Sequence, residues 1–99
     1  MSGLAELWKR HQQAPFPSSC LPLSVDGLRL VKLDAVVGAI LTGSLRTDGV
    51  VRRLDESKRR ELERHREIVL RALRDLTFDA EGRAYFEQLA ALADHVLRG

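Results

Sequence analysis

Apolar residues recur at helical spacing through most of the second half of the chain, and this pattern predicts two amphipathic helices. The first covers residues 54–76, where the apolar positions follow a period near 3.6 residues. The second covers residues 84–97 and carries an even cleaner apolar stripe. Because the connection over residues 75–79 is short, the two helices are expected to pack antiparallel, each with an apolar face that needs covering.

The first half of the chain begins with a short amphipathic segment. Within residues 3–13, Leu4, Leu7, Trp8 and His11 recur about one helical turn apart, which predicts a helix of two to three turns. A Pro-rich connection over residues 14–19 ends this helix, because each proline removes a backbone donor and restrains the preceding residue.

A turn signal follows in the next stretch. Apolar positions alternate on both sides of Asp26-Gly27, and this dipeptide favours the positive φ angles that a two-residue turn needs. The pattern predicts a β-hairpin near residues 21–33, in which Val25 pairs with Leu28.

An apolar run follows the hairpin, and it permits two interpretations. In the first, Asp34 caps a helix over residues 35–45, which is apolar on nearly all sides and is therefore expected to be the most buried helix. Gly38 in this helix would allow another backbone to approach closely. In the second, residues 28–37 form a buried strand, because this run is rich in β-branched residues.

These elements predict a mainly α fold, namely a small bundle of about four helices with one short β-hairpin. The 99 residues of the chain fit a single domain over residues 1–99. The apolar face over residues 85–97 is wider than one neighbouring helix should cover. We therefore expect a homodimer, which would also widen the modest stability margin of so short a chain.

The amino-acid composition limits where the protein is expected to be located and which partners it is expected to bind. Sixteen basic and 14 acidic residues leave a net charge of only +2, so nucleic acid is an unlikely partner. The arginine-rich, lysine-poor usage fits GC-rich bacterial coding. The single cysteine rules out an intramolecular disulfide. Neither an export signal nor an apolar stretch of membrane-spanning length is visible, so we expect a cytoplasmic protein with no membrane contact.

The signatures of catalysis and cofactor binding are absent. The chain contains no phosphate-binding loop, dinucleotide-binding, zinc-protease or nucleophile-elbow motif, which predicts a protein without enzymatic activity or cofactor. His65 and Glu61 lie one helical turn apart and could contribute to a metal site, but His65 falls where the helix expects a core residue. Cys20 has no identifiable base, so we expect an inert thiol and no bound metal.

A basic cluster at the start of the long helix gives the alternative function, a regulator that binds nucleic acid through residues 52–60. Its members are Arg52, Arg53, Lys58, Arg59 and Arg60. Glutamates interleave with these cations at ion-pair spacing, and no aromatic residue accompanies them to stack on bases. Binding to duplex DNA is therefore expected to be weak and independent of sequence.

The preferred hypothesis is a small non-catalytic interaction or accessory protein that acts through an exposed helical face. The absence of catalytic and cofactor-binding motifs supports this hypothesis. The chain also has more aromatic side chains than a short helical bundle is expected to bury. The residues expected to contact a protein partner are Trp8, Phe16, Phe78, Tyr85 and Phe86.

Overall fold

A computed structural model describes residues 3–45 and 53–98, and in these ranges the chain forms four helices and one β-hairpin. The helices are α1 (Leu4–Gln13), α2 (Leu30–Ser44), α3 (Glu56–Asp75) and α4 (Ala80–Arg98). A 3-10 turn (Ser18–Cys20) and two antiparallel strands, β1 (Ser24–Val25) and β2 (Leu28–Arg29), connect α1 to α2. The predicted mainly α fold with one short hairpin is confirmed. Within the described ranges, no helix combines the length and the apolar character needed to cross a membrane.

The hairpin turns where the sequence predicts. Asp26 and Gly27 have φ angles of 53° and 77°, and Val25 pairs with Leu28. These positive angles are those of a two-residue turn that matches the twist of the strands. The strands themselves are only two residues long.

Helix α2 begins at Leu30, so the predicted cap at Asp34 and the alternative strand over residues 28–37 are both wrong. The backbone N–H of Leu30 donates to the carbonyl of Leu23 at 3.0 Å, so Leu30 extends the hairpin ladder and also starts the helix. Its side chain is buried with those of Leu33 and Val37, at spacings that continue one helix face. The helical period therefore reaches one turn further back than the sequence suggests.

Helix α4 occupies the centre of the bundle, whereas α2 was expected to do so. It packs against α1, α2 and α3, and its wide face is buried. The buried residues are Gly82, Phe86, Leu89, Ala90, Leu92, Ala93, Val96 and Leu97. Helix α2 instead leaves Ala35 and Ala39 exposed, because its small residues need little cover.

The predicted antiparallel hairpin of α3 and α4 is confirmed. Asp55 caps α3 by accepting from the backbone N–H of Lys58 at 2.8 Å. Farther along the pair, Arg66 of α3 donates to Asp94 of α4 at 2.5 Å. The contact between Arg66 and Asp94 therefore joins the middle of α3 to the C-terminal part of α4.

The start of α4 lies very close to the 3-10 turn. Asp79 accepts from the backbone N–H of Gly82 at 2.8 Å, as expected for a helix cap. A Cβ atom at Gly82 would lie 2.8 Å from Cys20 Sγ and 3.2 Å from the Phe78 ring. Only glycine therefore fits this position without a shift of the neighbouring groups.

We predict that Gly82→Ala destabilises the fold by about 1–3 kcal/mol, because the added methyl group overpacks a fully buried contact. The matched control is Gly43→Ala in α2, where a Cβ atom meets nothing within 4 Å. That change should stabilise by up to about 1 kcal/mol through helix propensity. Urea unfolding of the two variants measures both effects, and equal effects would contradict the close approach of Cys20 and Gly82.

Candidate functional site

The five aromatic residues predicted to contact a partner belong to the core of this chain. Phe86 is 0% exposed and Trp8 is 5% exposed, while Phe16, Phe78 and Tyr85 are partly buried against the same cluster. The Phe16 ring meets the rings of Tyr85 and Phe86 edge-on at centroid distances of 5.6 and 6.0 Å. The expectation of an exposed aromatic face is therefore corrected, because Tyr85 and Phe86 belong to α4, which the other helices cover, and the Pro-rich connection places Phe16 against them.

The predicted nucleic-acid cluster is partly engaged in contacts within the chain. Its members are Arg52, Arg53, Lys58, Arg59 and Arg60, of which Arg52 lies outside the described residues. Arg59 donates to the backbone carbonyl of Leu97 at 2.7 Å and so caps the end of α4. Lys58 and Arg60 pair with glutamates one helical turn away at 3.7 and 3.3 Å. These contacts weigh against a nucleic-acid interface, which stays a prediction.

The residues considered for metal binding or nucleophilic chemistry lie apart. His65 uses Nδ1 to bond the backbone carbonyl of Glu61 at 2.7 Å, so the glutamate side chain is not its partner. In the described part of the chain, no three His, Cys, Asp or Glu residues are grouped as a metal site would require. Cys20 is a free, buried thiol whose pKa is raised by burial, which disfavours the reactive thiolate.

A polar cluster that the sequence does not predict connects α1, α2 and α4. His11 of α1 bonds the Gln88 side chain of α4 through Nδ1 at 2.9 Å, and Tyr85 of α4 donates its hydroxyl to Asp34 of α2 at 2.9 Å. The rings of His11 and Tyr85 contact each other at a centroid distance of 4.5 Å, and Trp8 stacks beyond His11 at 6.2 Å. The cluster therefore brings together residues from both ends of the chain.

This polar cluster lies beside an open cleft, here called the α1/α2 cleft. Helix α1 packs mainly against α4 rather than against α2, which leaves a space of about 320 Å³ between α1 and α2. Its lining includes Trp8, His11, Asp34, Gly38, Thr42 and Tyr85. Gln12, Ala14 and Ala35 also line it.

Gly38 widens the cleft instead of receiving another backbone. A Cβ atom built at Gly38 meets nothing within 4 Å, so the close approach expected from the sequence is wrong. Glycine inside a helix costs about 0.5–1 kcal/mol relative to alanine, and no packing contact offsets that cost here. The absence of a side chain at Gly38 therefore leaves space in the cleft.

His11 has one nitrogen with no partner. The side chain is 4% exposed, and Nε2 is buried without a hydrogen bond. Because the partner of Nδ1 is the amide oxygen of Gln88, which only accepts, Nδ1 carries the proton in this arrangement. A buried polar atom without a partner is costly.

Asp34 and Tyr85 shift each other's pKa values. Burial raises the pKa of Asp34, while the hydrogen bond from Tyr85 and the nearby His11 oppose that rise. Burial also raises the pKa of Tyr85 well above its ordinary value of 10.0, and the charge and hydrogen bond of Asp34 raise it further. The phenol therefore keeps its proton and donates it to Asp34.

Two weak signals of this cluster exist in the sequence. His11 is a polar residue on the apolar stripe of α1, and Asp34 is the one acid within the apolar run of α2. Each signal also fits an ordinary role in a helix. Only the packing of α1 and α2 on α4 brings both residues to Tyr85.

Comparisons with protein-family models, with curated proteins and with solved structures found no match. The geometry and chemistry of the α1/α2 cleft are therefore the basis for assigning a function.

We predict that Tyr85 resists ionisation in the folded protein. It is the only tyrosine of the chain, so the ultraviolet absorbance of tyrosinate reports on it alone. In unfolded protein the band should appear with a midpoint near pH 10, whereas in folded protein it should appear only at distinctly higher pH or on unfolding. Asp34→Asn should lower the native midpoint. A native midpoint near 10 would contradict the contact of Tyr85 with Asp34.

The same shift has a consequence for stability. The pKa of Tyr85 is higher in the folded state than in the unfolded state. The protonated phenol therefore contributes fully to the free energy of unfolding below about pH 10, and this contribution is lost as the pH rises further. Tyr85→Phe should remove this part of the alkaline loss, as measured by urea unfolding across the alkaline range.

Proposed function

We propose that this protein is a non-catalytic binding protein and that the α1/α2 cleft is its binding site. The observation that carries the proposal is His11 Nε2, a buried and unpartnered polar atom on a residue that lines an open cleft. A few convergent polar groups among apolar and aromatic walls are typical of ligand sites. Asp34 and Tyr85 supply the further polar groups of this kind.

Binding fits the cleft better than covalent chemistry does. The Tyr85 proton is held by Asp34, and the raised pKa of the phenol disfavours a nucleophilic phenolate. The hydroxyl of Thr42 donates to the backbone carbonyl of Gly38 at 2.8 Å, so its proton is also committed. Hydroxyl groups used in this way orient a ligand but do not attack it.

Binding in the cleft is also favoured over docking through an apolar helix face. The large apolar side chains that are exposed in the described ranges are Leu21, Val31 and Leu70, one on each of three different segments of the chain. Three such side chains are few for a docking face, and single exposed apolar residues are normal on a protein surface.

The proposal does not require the predicted homodimer. The apolar face of α4 that motivated it is covered by three helices of the same chain. The homodimer stays a prediction, which light scattering tests against the 11.1 kDa mass of the monomer. We retain a bacterial cytosolic location as part of the proposal, since a single buried free thiol fits a reducing compartment.

The proposal predicts that filling the cleft abolishes binding. Gly38→Leu places a side chain in the α1/α2 cleft without a backbone clash, whereas Gly43→Leu adds the same side chain elsewhere on α2. In a ligand-observed NMR screen of cationic, neutral and anionic fragments, hits that compete for one site should bind wild type and Gly43→Leu. They should be lost in Gly38→Leu, with circular dichroism confirming that both variants fold.

Two outcomes would contradict the proposed function. One is the absence of any fragment that shifts the amide signals of α1 and α2 around the cleft. The other is a set of hits that bind Gly38→Leu as tightly as wild type, which would place binding at another surface.

A further inference from the structure

We draw no further inference here: the strongest candidate, the exposed stripe of Val31, Ala35, Ala39 and Gly43 along α2, is an unpartnered face of mostly small apolar residues, and nothing in the structure shows what covers it.

Discussion

The wide apolar face of α4 is the constraint on which the rest of the fold depends. Phe86 and Leu89 on this face are fully buried, and α1, α2 and α3 each cover a different part of it. Helix α2 also packs on α3, whereas α1 and α2 make little contact with each other. The α1/α2 cleft is the consequence, since α1 and α2 meet α4 more closely than they meet each other.

The same arrangement explains why polar residues lie at the base of the cleft. Where α1 and α2 diverge above α4, Asp34 and Tyr85 are only partly buried, and polar side chains are less costly there than in the core. Tyr85 lies at this point with its ring against His11 and Phe16 and its hydroxyl on Asp34. It therefore joins the aromatic core to the polar cleft.

Local signals in the sequence account for much of the fold. The periodicity of α3 and α4 and the Asp26-Gly27 turn each depend on residues close in the chain, and the structure confirms them. The candidate site depends instead on contacts between distant residues, such as His11 with Gln88, 77 positions apart. No periodicity encodes such a contact, because it follows from how three helices share α4. The start of α2 was missed for a related reason, since Leu30 satisfies the strand and helix patterns together.

The tautomer of His11 tests the central claim most directly, namely that this buried ring joins α1 to α4 through Nδ1 and leaves Nε2 without a partner in the described chain. A long-range proton–nitrogen NMR spectrum at alkaline pH distinguishes the two neutral tautomers, with the exposed His95 as an internal reference. The account predicts that His11 carries its proton on Nδ1, where it bonds Gln88, and that Nε2 is unprotonated. A proton on Nε2 would contradict it, because Nδ1 of the neutral ring could not then donate to Gln88.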